Sequence, residues 1–110
     1  MSFSFSTSSK QRLQSCHPDI QKIMEAAIAV SEIDFTVVCG RRGEDAQNKA
    51  FKDGFSRAQF GESPHNSDPS LAVDIAPYRD GRIQWDNLLL FEQLAGTIKA
   101  VNMDLIEQEK

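Results

Sequence analysis

Apolar residues recur every three or four positions in two stretches of the chain, which predicts two amphipathic helices. The first begins at His17-Pro18-Asp19, because proline suits the first turn of a helix and an acid there faces the positive end of the helix dipole. It ends near Ser31, and the second runs from a cap at Asp86 to Val101. The residues predicted to face the core are Ile20, Ile23, Met24, Ala27 and Val30, then Leu88, Phe91, Leu94, Ala95, Ile98 and Val101.

Two short runs of apolar residues, the first rich in β-branched side chains, predict strands. One covers residues 35–39 and is closed by Gly40, and the other covers residues 71–76 and is stopped by Pro77. Residues 44–53, between them, predict a further helix. The smaller predictions are a polar or helical lead-in at residues 8–14, inward-facing Ala46, Ala50 and Phe51, a helix stop at Gly54 and a turn at Asp80-Gly81.

The order of these elements, helix, strand, helix, strand, helix, indicates an α+β fold with a small antiparallel sheet packed against helices. A sheet of two strands is marginal alone, so the pattern calls for further strand after residue 101. Residues 102–110 show no strand pattern and are predicted to be a divergent, solvated tail. A chain of 110 residues forms one domain at most, which we place at residues 1–110.

Composition and charge exclude several classes of protein. Hydrophobic residues make up 40% and charged residues 25% of the chain, as in soluble globular proteins. The net charge is −4 without a Lys/Arg cluster, so no nucleic-acid partner is expected. No run approaches the roughly 18 apolar residues of a membrane span, so no membrane partner is expected. Residues 1–9 lack the features of a secretory signal, so we expect a cytoplasmic product.

The two cysteines, Cys16 and Cys39, are predicted to be free thiols, because a disulfide framework usually needs more of them. Cys16 also precedes His17, but adjacent residues rarely present both side chains to one substrate. The interpretation of Cys16 and His17 as a catalytic nucleophile and its base is therefore disfavoured.

The most informative stretch, residues 63–78, has a histidine in a loop and an aspartate inside an otherwise apolar run. A carboxylate there needs a partner or a metal, because an unpaired charge in apolar surroundings is strongly destabilising. His65 and Asp74 both carry atoms that bind zinc. Spacing alone leaves two interpretations open: a metal site, or a hydrogen-bonded Asp74 at a strand end with His65 on the surface.

The spacing Ser-x-His-Asn-x-x-Pro-x-x-Ala-x-Asp-x-x-Pro, from Ser63 to Pro77, resembles the zinc motif of one family of peptidases. These are the VanY-like D-alanyl-D-alanine carboxypeptidases and L-alanyl-D-glutamate endopeptidases, which include phage endolysins. The resemblance covers residues 2 to 101. Further matching segments are Leu13 with Pro18-Asp19-Ile20, Asp34-Phe35-Thr36-Val37, Gly40-Arg41-Arg42 with Gln47-Asn48, and Ile83-Gln84-Trp85-Asp86.

The resemblance implies a zinc-peptidase fold of the VanY/VanX type, a Zn²⁺ cofactor and the peptidoglycan stem peptide as partner. His65 and Asp74 take the positions of two of three metal ligands. Arg42 takes the position of the arginine that contacts the substrate and would stabilise an oxyanion; without the resemblance it would be a solvated residue. Gln47 and Ser63 are assigned to substrate binding. Gln47 would support the site or the packing of its helix, and Ser63 would donate a hydrogen bond near the metal or the substrate.

The family's third ligand, a late histidine, and the carboxylate base before it have no counterpart after Val101. His17 matches the start of the family's first helix instead. We therefore interpret the chain as lacking the C-terminal part of the fold, with weakened zinc binding and poorly activated water. The expected function is a zinc metallopeptidase, impaired by truncation, that cuts L-Ala–D-Glu or D-Ala–D-Ala in the cell wall after release to the periplasm. The alternatives are an inactive prophage remnant or cell-wall-binding module, and an unrelated α+β domain.

Three geometric expectations follow from these assignments. The His65 imidazole and the Asp74 carboxylate should lie within about 5 Å, so that one zinc ion contacts both. Arg42 should face the same cleft while Arg41 faces solvent, because successive strand residues alternate. An unpaired sheet edge and an exposed helix face should favour self-association.

Overall fold

The computed structural model describes residues 2–109 and confirms an α+β fold with a small antiparallel sheet. No helix among these residues is both long and apolar enough to cross a membrane. The assignment of all of residues 1–110 to one domain stays a prediction. The elements are α1 (Thr7–Gln14), α2 (Pro18–Val30), β1 (Phe35–Cys39), α3 (Glu44–Lys52), a 3-10 turn (Pro64–Asn66), β2 (Asp74–Arg79), β3 (Arg82–Ile83) and α4 (Leu88–Glu109).

The sheet has the strand order β1-β2-β3, with each neighbouring pair antiparallel. The prediction that Pro77 stops the second strand is wrong, because β2 continues through it and pairs it with Phe35. The Pro77 carbonyl still accepts a hydrogen bond from the Gln84 amide at 2.9 Å, and the Tyr78 amide donates to the Asp34 carbonyl at 3.0 Å. These bonds keep the strand paired on both sides although proline lacks an N–H.

Helix α1 covers the outer edge of β1 with polar side chains. The Val37 amide donates to Ser9 Oγ at 3.1 Å, and Arg12 Nη1 donates to the Val37 carbonyl at 3.2 Å. A covered edge cannot pair with another strand. This edge of β1 is therefore occupied by α1, and self-association of the chain stays a prediction.

The core lies between the sheet, α2 and α4, and its apolar stripes differ in part from those predicted. In α2 the buried residues are Met24, Ala27 and Ile28, whereas Val30 lies off this stripe and is 65% exposed. In α4 the predicted Leu88 is 69% exposed because it lies off the stripe that buries the helix. The core cluster consists of Phe5, Leu13, Met24, Ala27, Ile28, Phe35, Val37, Leu94 and Val101.

Both ends of α4 also differ from the prediction. The cap is Asn87 rather than Asp86, since Asn87 Oδ1 accepts a hydrogen bond from the Leu90 amide at 3.1 Å. The helix, predicted to end at Val101, continues to Glu109, while residues 102–104 and 106–108 are exposed, in agreement with a solvated segment. Leu105 extends the helical spacing of Leu94 and Val101 and packs against the core, which explains the extra turns. Lys110 lies outside the described residues.

Candidate metal centre

Three segments meet at the start of β2: the end of β1, the 3-10 turn and the first residue of β2 itself. Together they form the ligand cluster, Cys39, His65 and Asp74, whose potential ligand atoms lie within 4.8 Å of one another. His65 Nε2 lies 3.4 Å from Asp74 Oδ1, so the predicted separation of these two side chains is confirmed. The His65 side chain is 11% exposed and that of Asp74 is 52% exposed, so the cluster opens to solvent on the Asp74 side.

The His65 ring is oriented by the backbone of the loop after β1. Its Nδ1 lies 2.8 Å from the Gly40 carbonyl oxygen. A carbonyl only accepts hydrogen bonds, so Nδ1 carries the hydrogen and a neutral ring presents the lone pair of Nε2 to Asp74. Metal-binding histidines are commonly oriented by such a bond from the other ring nitrogen.

The distance between His65 and Asp74 is compatible with a shared metal ion. A charge-assisted N–H···O bond is about 2.7–2.9 Å long, shorter than the 3.4 Å found between Nε2 and Oδ1. Two ligand atoms that each lie about 2.0–2.1 Å from a tetrahedral zinc ion are about 3.3–3.4 Å apart. The separation of Nε2 and Oδ1 therefore fits two atoms that share one zinc ion, and the donor set suits zinc.

The 3-10 turn holds the His65 backbone in place. Ser63 Oγ accepts a hydrogen bond from the His65 amide at 3.2 Å, and Asn66 Oδ1 accepts one from the Ser63 amide at 3.1 Å. The His65 carbonyl accepts from the Arg42 amide at 2.7 Å. The Ser63 oxygen thus fixes the turn that carries His65, and its predicted hydrogen bond to a metal or substrate stays a prediction.

A β-bulge determines which residue of β1 lies beside Asp74. Val37 pairs with Ile75, but the register then shifts so that Cys39, rather than Val38, is opposite Asp74. Opposed residues in an antiparallel pair lie on one face of the sheet, and bulges often redirect a side chain near a functional site. Cys39 therefore joins the cluster through this shift, although the sequence alone indicated only a free thiol.

Arg42 enters the same cleft, as predicted, whereas Arg41 is exposed. The Arg42 guanidinium donates from Nη1 to Gln47 Oε1 at 3.1 Å, and its Nη2 lies 3.6 Å from Asp74 Oδ2. The Arg42 side chain is 20% exposed, so its charge is held at the edge of the cluster and still meets solvent. A fixed guanidinium in this place has free N–H groups to offer an anionic ligand.

Gln47 is the buried centre of a polar network beneath Arg42. Its Oε1 accepts from Arg42 Nη1 and from Asn66 Nδ2, both at 3.1 Å. Its Nε2 donates to Ser56 Oγ at 2.9 Å and to the Ala58 carbonyl at 2.7 Å. These bonds fill the hydrogen-bonding capacity of the amide. Gln47 is 0% exposed and holds the Arg42 guanidinium through Oε1, which suits a supporting position, and its assignment to substrate binding stays a prediction.

The prediction that Ala46 and Phe51 of α3 face inward is wrong. Ala46 is exposed and Phe51 is 41% exposed, whereas Gln47 is the buried residue of the helix. The inner side of α3 faces a polar loop rather than the apolar core. A polar side chain that finds all its partners is therefore buried there in place of the apolar ones.

Cys16 and His17 have structural roles. Both cysteines are free thiols, as predicted, and Cys16 is 1% exposed. Burial raises the pKa of the Cys16 thiol, which keeps it neutral at neutral pH. His17 Nδ1 accepts a hydrogen bond from the Asp19 amide at 3.1 Å and so caps α2. This bond agrees with the predicted helix start at His17-Pro18-Asp19.

Comparison with known proteins places this geometry in a family. Residues 1–106 match the model of a family described as phage L-alanyl-D-glutamate peptidase. The L-alanyl-D-glutamate peptidase of Escherichia phage T5 is 37% identical over 93 residues, a match that spans 83% of this chain and 66% of the relative's length. The fold is similar to that of the L-Ala D-Glu endopeptidase ChiX of Serratia marcescens, with a TM-score of 0.77, 24% identity, and coverage of 92% of this chain and 73% of that chain. The resemblance found in the sequence is thereby confirmed, and the chain belongs to the phage L-alanyl-D-glutamate peptidase family.

Proposed function

We propose that the chain binds zinc through His65 and Asp74 and acts on the L-Ala–D-Glu bond of the peptidoglycan stem peptide. The observation that carries the metal assignment is the 3.4 Å separation of His65 Nε2 and Asp74 Oδ1. The choice of this bond over D-Ala–D-Ala is supported by the names of the phage T5 relative and of the family. The substrate lies in the cell wall, which a cytoplasmic product would reach after release.

Zinc bound at such a site supplies a Lewis acid that polarises the scissile carbonyl and acidifies water. The residues of the chain itself do the remaining work. His65 and Asp74 hold the ion, with the His65 ring fixed by the Gly40 carbonyl at 2.8 Å. Arg42 faces the same opening and donates hydrogen bonds to a substrate carbonyl or carboxylate, so it stabilises negative charge that develops on oxygen.

The Arg42 guanidinium owes its direction to Gln47. Nη1 is bound to Gln47 Oε1 at 3.1 Å, which leaves Nη2 turned toward Asp74 Oδ2 at 3.6 Å. A donor that is already oriented loses little entropy when the substrate arrives. In this proposal Gln47 is a positioning residue and Arg42 is the residue that contacts substrate.

Turnover by the 110-residue chain is limited by the lack of a free carboxylate in the cluster. Within residues 2–109, the ligand cluster contains a single carboxylate, Asp74. A carboxylate that binds the metal is not free to take a proton from the attacking water. We therefore propose that the chain hydrolyses its substrate slowly, so that it behaves largely as a cell-wall-binding module.

Sedimentation with insoluble murein tests this proposal, with the released peptides identified by mass spectrometry. We expect the zinc-loaded protein to sediment with murein, and any released peptide to begin at D-Glu. Arg42→Ala should weaken binding, whereas Arg41→Ala, the matched change one residue away in solvent, should not. Equal binding by the two variants would contradict the role of Arg42. Products that lack only a terminal D-Ala would contradict the choice of bond.

A further inference from the structure

Cys39 is the third member of the ligand cluster, and the function proposed above does not use it. We propose that the Cys39 sulfur is a third protein ligand of the metal, which gives this chain a Cys/His/Asp site. The inference rests on the proposed zinc site of His65 and Asp74 and extends it. Within residues 2–109, no other group of His, Cys, Asp and Glu side chains is arranged to hold a metal ion.

Geometry is the first argument for Cys39. Its sulfur lies within 4.8 Å of both the His65 and the Asp74 ligand atoms. The shift of register in β1 places Cys39 opposite Asp74, so the two side chains share one face of the sheet. Zinc accepts sulfur, nitrogen and oxygen donors in one tetrahedral site, with sulfur at about 2.3 Å.

The surroundings of the sulfur are the second argument. Its hydrogen-bond contacts are long, 3.5 Å to the Gly40 carbonyl and 3.7 Å to Arg42 Nη2, so no strong protein bond competes with a metal. The Arg42 guanidinium also lies 3.6 Å from Asp74 Oδ2. The Arg42 guanidinium thus lies beside both Cys39 and Asp74.

Cys16 shows what a structural cysteine looks like in the same chain. It is 1% exposed and its sulfur contacts the Arg12 and Ala72 carbonyls, each at 3.8 Å. Burial raises the pKa of its thiol and so disfavours the thiolate. Cys39, by contrast, is partly exposed and lies beside a cation and two other donors. The two cysteines therefore form a matched pair for an experiment.

A sulfur ligand has consequences for metal choice and for redox sensitivity. Thiolate favours zinc or cobalt over the hard cations magnesium and calcium, which prefer oxygen. A partly exposed thiolate is also open to alkylation and oxidation when no metal protects it. Bound zinc should therefore slow the reaction of Cys39 with a thiol reagent such as iodoacetamide.

Cobalt(II) titration of the full 110-residue chain tests the proposal, because thiolate bound to cobalt gives a charge-transfer band in the near ultraviolet. The proteins to compare are the wild type, Cys39→Ser, Cys16→Ser and His65→Ala. We expect the band in the wild type and in Cys16→Ser, and its loss in Cys39→Ser. Zinc affinity, measured by competition with a chelator, should fall more than about 10-fold in Cys39→Ser, since even residues that only orient a ligand act on that scale.

The outcomes separate this inference from the proposed zinc site. Cobalt binding without the band in the wild type, or a band that persists in Cys39→Ser, would overturn the role of Cys39 and leave His65 and Asp74 as ligands. Absence of any metal binding by the wild type would overturn the metal centre and the inference with it. Circular dichroism of each variant confirms folding, and loss of the band in Cys16→Ser as well would also count against Cys39 as the source of the signal.

Discussion

The ligand cluster and the face between α2 and α4 are held by different interactions. Around the cluster, hydrogen bonds with Ser63, Asn66 and Gln47 fix the direction of His65 and Arg42. Between the two helices, mostly apolar side chains border a groove of about 510 Å³, lined in part by Ile20, Ile23, Met24, Ile75, Leu94 and Ile98.

This difference separates function from stability. Directional hydrogen bonds orient ligands precisely enough for chemistry but contribute little net free energy each. Burial of apolar surface contributes most of the folding free energy but orients nothing in particular. Substitutions near the cluster should therefore change metal and substrate binding more than stability, and those in the α2–α4 face should do the reverse.

The largest expected effect is on the rate of hydrolysis. The 110-residue chain should clear a suspension of outer-membrane-permeabilised Gram-negative cells at least about 10²-fold more slowly than the phage T5 relative, because the ligand cluster within residues 2–109 has no carboxylate besides the proposed ligand Asp74 to act as a base. Turbidity with added zinc, beside His65→Ala, measures this. Lysis by the wild type that His65→Ala lacks would show that a base comes from elsewhere, for instance from a second copy of the chain.

Truncation of a core residue in α4 should have the largest effect on stability. Leu94 is 2% exposed, so Leu94→Ala should lower the free energy of unfolding by about 2–5 kcal/mol. Leu89→Ala, in the same helix at 76% exposure, should change it by less than about 0.5 kcal/mol. Urea denaturation measures both. The zinc affinity of the folded fraction should be the same in the two variants. A large loss of zinc affinity in Leu94→Ala would contradict the separation of stability from metal binding.

Removal of the Gln47 amide should affect the cluster more than the fold. Gln47→Ala leaves Arg42 and Asn66 without their shared acceptor, so zinc affinity should fall about 10- to 100-fold, as for other residues that support a metal site. The control is Gln93→Ala, which removes an exposed amide of α4. Isothermal titration with zinc measures both. Unchanged affinity in Gln47→Ala would mean that the network does not orient the site.

The smallest effect concerns Asp34, which lies outside both regions. Burial raises the pKa of this carboxyl above its ordinary value of 3.8, partly offset by the Phe35 amide. The folded state thus binds the proton more tightly, so the group's stabilisation is present below pH 3.8 and is lost as the pH rises through the folded pKa. Asp34→Asn should flatten this decline in urea denaturation, whereas Glu32→Gln, at an exposed neighbour, should not. If the free energy of unfolding had the same pH dependence in the wild type and in Asp34→Asn, the contribution of Asp34 would be refuted.

The parts of the fold that the sequence predicted well depend on local signals. Pro18 in a first turn and the β-branched run from Phe35 determine α2 and β1 within their own few residues, and both elements have the predicted bounds. The errors arose where distant contacts decide. Pro77 stays in β2 because both neighbouring strands supply bonds, and α4 continues past Val101 because Leu105 reaches the core.

The residues of the candidate site likewise fall into those that the sequence predicted and those that it did not. His65, Asp74 and Arg42 were assigned through the resemblance to a peptidase family, and the structure brings the three side chains together. Cys39 was missed because its place beside Asp74 depends on a bulge and on cross-strand register, which no local pattern reveals. The burial of Gln47 was not expected either, since apolar patterning assumes an apolar neighbour and α3 packs on a polar loop.

The central claim is that His65 and Asp74 form a metal centre, and zinc content after equilibrium dialysis tests it most directly. The account predicts about one zinc ion per chain for the wild type, and loss of that zinc in His65→Ala. His17→Asn is the matched control, because it removes the other histidine and keeps a good helix cap, and it should retain zinc. A wild-type chain without zinc, or equal zinc in His65→Ala, would contradict the account.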